Sequence, residues 1–143
     1  MSTSDTATTE PDDRTRRYLA DIVTTCDTAS RLTAHGRDAF LPPAEPDPGR
    51  QHRLETAETL CLAAEAVIIR AGEAVARIDA RQPTFVADRP ELPLRELKDA
   101  RNFIAHGYDR VDPVIMWEIL SESLPQARAA ISHYLALQKS AHS

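Results

Sequence analysis

The sequence predicts an all-α, antiparallel bundle of four to five helices, and three observations predict it. Good helix formers (Ala, Leu, Arg and Glu) dominate the 143 residues, whereas only 5% are aromatic and Gly occurs four times. Apolar residues recur every three or four positions over long stretches, which is the period of one helix face. Proline-rich stretches separate these patterns. The apolar content of 42% suits one domain with one core.

The first predicted helix begins near Asp13 and ends near Gly36, a glycine well placed as a C-terminal cap. One face of it is apolar and consists of Tyr18, Ile22, Cys26, Ala29 and Leu32. Residues 1–12 precede it and are rich in Ser, Thr and Asp, so we expect a disordered tail there. A proline-rich loop, 40–49, follows the helix, because proline removes backbone donors and excludes its predecessor from helix.

The second predicted helix is long, from Arg50 to Ile78. Its alanines and Gly72 should allow a neighbouring helix to approach closely. Its apolar stripe is wider than one partner helix needs, so we expect part of it to face a second subunit. The stretch "RQPTFVADRPELP", residues 81–93, then predicts a loop because it contains three prolines.

The third helix should run from Leu94 to Ala105 or His106, with Gly107 as a left-handed cap. A fourth begins at "DPVIMWEIL", where Asp112 is a good N-cap and proline fits the first helical position. Pro125 should kink or restart this helix. The predicted domain therefore spans residues 13–138, and residues 139–143 should fray.

Composition also bounds the function. The net charge of −5 argues against a non-specific nucleic-acid coat but permits a locally basic cleft. Cys26 and Cys61 have neither metal-ligand nor redox spacing, so both should be small buried apolar residues, and we expect no metal site or other cofactor. No signal peptide and no apolar run of the ~20 residues that a membrane helix needs is visible, which predicts a cytoplasmic protein without membrane contact.

The stretch "RNFIAHGYDRVDP", residues 101–113, is the part of the sequence whose side chains could carry out a reaction. Asn102 and His106 are four positions apart and share a helix face, and Arg101 precedes them. A guanidinium can bind a phosphate in a fork. An imidazole can take a proton from a ribose 2′-hydroxyl or give one to the leaving oxygen. DNA lacks that hydroxyl, so such a site would favour RNA and would need no metal.

One histidine cannot easily act as base and acid at once. A homodimer that brings two copies of Arg101 and His106 into one cleft would supply both roles, because a two-fold interface repeats the same patch. Residue spacing alone also permits a purely structural interpretation. In it, His106 caps the helix, Arg101 pairs with Asp99 or Glu96, and Tyr108 packs against the next helix.

The longer stretch "RNFIAHGYDRVDPVIMWEIL" resembles the signature of the HEPN superfamily and, more closely, of its HepT-like toxins. That signature is Arg-Asn-x3-His-x-Tyr, followed by a turn and a helix with Trp-Glu-Ile. Three further segments resemble the family: "VIIRAGEA", "LPLRELKDARN" and "SLPQARAAI". The resemblance covers roughly residues 16–134.

This resemblance implies a HEPN-like, homodimeric, metal-independent endoribonuclease with its active site at the dimer interface. By position, Arg101 and His106 would be catalytic and Asn102 would support the cleft. It further implies the toxin of a type VII toxin–antitoxin pair whose partner is an MntA-type nucleotidyltransferase. That partner would silence the toxin by AMPylation of the motif tyrosine, here Tyr108. The alternative function is a non-catalytic helical module that binds a nucleotide or the nucleotidyltransferase.

Overall fold

The computed structural model describes residues 8–107 and 111–141, and every regular element in those two ranges is helical. The predicted all-α bundle is thereby confirmed. The elements are α1 (Asp13–Thr33), α2 (Arg37–Phe40), α3 (Arg50–Arg81), α4 (Pro83–Asp88), α5 (Leu94–Ala105), α6 (Pro113–Glu118), a π-helical segment (Ile119–Ser123) and α7 (Leu124–Ala141). None of these helices is both long enough and apolar enough to cross a membrane.

The long helix α3 is the centre of the bundle, and both of its main neighbours run antiparallel to it. The start of α1 lies beside the end of α3, because Arg81 donates from Nε to Asp12 Oδ2 at 2.7 Å. Helix α5 descends along α3 from Asp79, which binds Lys98 Nζ at 2.8 Å, towards Gly72, which contacts Arg101. Helix α7 closes the bundle against α1.

The apolar stripe of α3 is used mainly within the chain. Helix α3 packs mainly against α1 and α5, and the buried members of its stripe are Ala57, Leu60, Ala64, Val67, Ile68, Ala71, Val75 and Ile78. The spare surface that we expected from the width of the stripe is therefore largely occupied by the chain's own helices. The large apolar side chain that α3 leaves exposed is Leu62, with 59% of its surface accessible.

Two short helices were not predicted, and one of them lies where a loop was predicted. Helix α2 precedes the proline-rich loop and places the fully buried Phe40 in the core. The predicted loop 81–93 contains α4, so that prediction is wrong for residues 83–88. Pro83 occupies the first helical position, where a missing N–H is no loss, and Phe85 and Val86 are buried. Burial of these two side chains, rather than any local helix propensity, explains why the segment is helical.

Residues 8–12 lie against α4, although we expected them to belong to a disordered tail; residues 1–7 are outside the described ranges. The Thr9 N–H donates to Asp88 Oδ2 at 2.9 Å. Arg89 lies over the rings of Phe85 and Tyr134, and its Nη2 donates to the Thr9 carbonyl at 2.9 Å. Asp12 then caps α1 by accepting from the Thr15 N–H at 2.8 Å, so α1 begins as predicted.

The irregularity predicted at Pro125 is present as the π-helical segment immediately before it. The Leu124 N–H donates to the carbonyl of Ile119, five residues back instead of four. Proline has no N–H and its ring clashes with the carbonyl of a regular preceding turn, so a wider turn accommodates it. Helix α7 then continues to Ala141, which places residues 139–141 in helix although we expected them to fray.

Candidate active site at the end of α5

Helix α5 places the motif at the end of the bundle. It runs from Leu94 to Ala105, as predicted, with Leu94, Leu97 and Ile104 buried towards the core. His106 ends the helix: its N–H donates to the Asn102 carbonyl at 3.0 Å. Its side chain is exposed and, within the described residues, makes no hydrogen bond. The helix thus presents this imidazole to solvent.

Arg101 lies directly on the backbone of α3. A Cβ added at Gly72 would lie 2.0 Å from the Cβ of Arg101, 2.6 Å from its Cγ and 3.0 Å from the Leu97 carbonyl oxygen. No side chain fits in that space, so the close approach predicted at Gly72 is confirmed. The bare backbone of Gly72 is what lets α5 carry Arg101 in this position.

The guanidinium of Arg101 is only partly satisfied. Its Nη1 donates to the side-chain Oδ1 of Asn102 at 3.0 Å. Its Nε is buried and has no hydrogen-bond partner within the described residues. A donor left unpaired in this way costs about 1–3 kcal/mol.

The structural alternative predicted that Arg101 pairs with Asp99 or Glu96. Among residues 8–107 and 111–141, Arg101 forms no ion pair with either carboxylate. The carboxylate that does contact α5 is Asp79 of α3, which binds Lys98. Both side chains of that pair are partly exposed, so it orients α5 on α3 and adds little stability.

Gly107 does not adopt the left-handed conformation that we predicted. Among the described residues, only Gly36 has a positive φ, of 87°. A Cβ at Gly107 would lie 3.0 Å from the Phe103 carbonyl oxygen and 3.2 Å from Val111 Cγ2. Gly107 therefore provides space rather than an unusual backbone angle, and it lets Val111 return against the end of α5.

The turn after the motif leads into α6 as the sequence predicted. Asp112 caps this helix by accepting from the Val114 N–H at 2.9 Å, and Pro113 is its first residue. Trp117 packs against Phe40 with ring centroids 5.3 Å apart. The tryptophan of the Trp-Glu-Ile segment thus links α6 to α2, which is a structural role.

Comparison with known proteins decides the family. A protein-family profile described as Ribonuclease HepT-like matches residues 46–134, which is well over half of the chain. The chain belongs to the HepT-like ribonuclease family. No curated protein and no solved structure matches it.

In this HepT-like ribonuclease, the matched segment includes the helices around the candidate site. It begins just before α3 and ends within α7, so it includes Gly72, Arg101, Asn102 and His106. Helix α1 lies outside it. The family implies RNA cleavage. Helix α5, which carries the predicted catalytic residues, and helix α3, on which it packs, both lie inside the matched segment.

One predicted site residue of this HepT-like chain has no described position. Tyr108 lies outside the described ranges, together with Asp109 and Arg110. Its relation to Arg101 and His106 therefore stays a prediction.

The cysteines differ from each other. Cys26 is buried as predicted, and that burial raises the pKa of its thiol to about 11. Cys61 is only half-buried, so the prediction of full burial is wrong for it; partial burial still raises its pKa. Its Sγ lies 3.7 Å from the Phe40 carbonyl oxygen. In the described part of the chain, no three His, Cys, Asp or Glu side chains lie close enough together to hold a metal ion.

Proposed function

We propose that this protein is a metal-independent endoribonuclease and the toxin of a type VII HepT/MntA-like toxin–antitoxin pair. The observation that carries the proposal is the end of α5, where a partly satisfied Arg101 and an exposed His106 lie on one short helix. Family membership supplies the substrate class, RNA.

Arg101 would bind the scissile phosphate. Asn102 engages Nη1 of its guanidinium, so a phosphate oxygen would bind the remaining Nη hydrogens. A charged fork held in this way also offsets the negative charge that develops on the phosphorus-bound oxygens in the transition state.

His106 would move the protons. As a base it removes the proton from the ribose 2′-hydroxyl, whose oxygen then attacks the adjacent phosphorus. The bond to the 5′ oxygen of the next nucleotide breaks, and that oxygen takes a proton from an acid. The products are a 2′,3′-cyclic phosphate and a free 5′-hydroxyl, with no water and no metal consumed.

A homodimer would supply one imidazole as base and the other as acid. Its support is the exposed apolar surface beside the motif. Phe103, in the last turn of α5, is 49% exposed, and Ile115, in the first turn of α6, is 38% exposed. An interface between two copies that covers both side chains would bring the two α5 ends together.

His106→Ala is expected to lower the rate of RNA cleavage by about 10²- to 10⁴-fold, the usual contribution of a general acid or base. The fold should be unchanged, because this side chain is exposed and has no hydrogen bond within the described residues. The measurement is the initial rate on a labelled RNA with EDTA present, together with thermal melting.

The matched control is His133→Ala, an exposed histidine on α7, which should cleave at the wild-type rate. Wild-type cleavage by the His106 variant would remove this histidine from the mechanism, and loss of activity in EDTA would contradict metal independence. A wild-type protein that binds RNA or a nucleotidyltransferase without cleaving would favour the non-catalytic module instead.

Co-production with an MntA-type nucleotidyltransferase and ATP is expected to raise the intact mass of the protein by whole AMP units. The acceptor would be the Tyr108 hydroxyl, and the added phosphate would repel and block RNA at the neighbouring His106. Tyr108→Phe should abolish the gain, whereas the control Tyr18→Phe should keep it. An unchanged mass of the wild-type protein would exclude silencing by AMPylation.

A further inference from the structure

A groove of about 710 Å³ lies beside the turn that follows the motif. It separates the first half of α3 from residues 111–113, which lead into α6. Its floor is mainly apolar and consists of Phe40, Leu54, Ala57, Cys61, Val111 and Pro113. Leu62 also lines it and is 59% exposed, so the groove is an apolar surface that the chain's own helices leave open.

The rim of the groove is acidic. The carboxylates that line it are Glu55, Glu58, Glu65 and Asp112, and among the described residues no Lys or Arg lines it. The three glutamates lie on the same face of α3 as Leu62, because they are spaced by about one or two turns. Within the described residues none of these glutamates forms an ion pair. Like charges at this spacing repel each other, so a cationic occupant would relieve an existing cost.

We propose that this groove is a docking surface for a basic protein segment with apolar side chains, provided by a protein partner. The apolar floor and Leu62 would take the apolar side chains, and the glutamates would pair with Lys or Arg at the edges. RNA does not fit this surface, because its phosphates would meet the carboxylates. A second copy of the chain fits poorly as well, because a two-fold contact at the groove would place its acidic rim against the same acidic rim.

The groove is continuous with the candidate active site. Val111, on its edge, lies 3.2 Å from where a Cβ of Gly107 would be, and Gly107 follows His106. An occupant of the groove would therefore lie next to the turn that ends α5. One further step rests on the proposed function. A nucleotidyltransferase that docks in this groove would bind beside Val111, which follows its target residue, Tyr108, by three positions in the sequence.

Peptide binding tests the proposal. The probe is a fluorescein-labelled helical peptide of Lys and Leu at amphipathic spacing, followed by fluorescence anisotropy with the full chain. Glu58→Lys with Glu65→Lys should weaken binding at least about tenfold. Leu62→Ser should weaken it less. The control pair, Glu91→Lys with Glu122→Lys, changes net charge equally at exposed positions outside the groove and should bind like wild type.

Four outcomes would overturn the docking surface. Equal loss in the control pair would show attraction to net charge alone, and equal binding of a peptide with Ser in place of Leu would show no apolar component. Displacement of the peptide by an RNA oligonucleotide, or a changed sedimentation coefficient in the groove variants, would assign the groove to RNA or to a second copy. RNA cleavage is assayed in parallel, so an inactive wild type would contradict the ribonuclease proposal without affecting this one.

Discussion

Gly72→Ala is expected to destabilise the protein by about 1–3 kcal/mol and to remove most of its RNA cleavage. The new methyl group would lie 2.0 Å from the Cβ of Arg101 and 3.0 Å from the Leu97 carbonyl oxygen, so α5 must shift away from α3. The direction of the change is diagnostic, because Gly→Ala inside a helix normally stabilises it by about 0.5–1 kcal/mol. Urea unfolding and cleavage rates measure the two effects.

Two further variants separate the clash from other causes. At Gly49 a Cβ would lie 3.4 Å from the end of the flexible Arg53 side chain and 3.6 Å from Asp47 Oδ1, so Gly49→Ala should be tolerated. Arg101→Gly, combined with Gly72→Ala, removes the two nearest atoms and should restore part of the stability but none of the activity. A Gly72→Ala protein as stable as the wild type would mean that α5 does not pack on α3 in this way.

Arg101→Lys is expected to lower the rate of RNA cleavage by about 10²- to 10³-fold, the usual cost of losing one transition-state donor. Lysine keeps the charge and the Cβ and Cγ atoms that pack on Gly72, so the fold should hold. It loses the planar guanidinium, which would have to bind both the Asn102 side chain and a phosphate. The comparison is single-turnover cleavage together with thermal melting.

Arg95→Lys is the control, since Arg95 is an exposed arginine on the same helix. It should cleave at the wild-type rate. If Arg101→Lys also cleaves at that rate, a point charge suffices and the proposed fork has no role. A large fall in its melting temperature would show that the guanidinium, and not only the stem, holds α5 to α3.

The long elements were predictable because they repeat the helical period several times. Helices α1 and α3 were recognised in this way, and the caps at Asp112 and Pro113 indicated the start of α6. Helices α2 and α4 have four and six residues, fewer than two turns, so no periodicity can reveal them. In α4 the proline that signalled a loop is the first helical residue, and only tertiary burial of Phe85 and Val86 decides between the two.

The candidate site was predictable in its residues but not in its contacts. Sequence indicated that small residues such as Gly72 permit a close approach, yet nothing local shows that Arg101 is what approaches. Likewise, a glycine after a helix predicts a left-handed cap, whereas Gly107 has no positive φ and instead lies where a Cβ would be crowded by the Phe103 carbonyl oxygen and Val111. Spacing alone also left Arg101 paired with Asp99 or Glu96 as an open alternative.

The contact between Gly72 and Arg101 has an evolutionary consequence. The nearest atom to position 72 is the Cβ of residue 101, which every residue except glycine carries. Glycine at position 72 is therefore required by the packing of α5 on α3, whichever side chain stands at position 101. Among descendants that keep this packing, glycine should persist at position 72 even where the arginine has been exchanged.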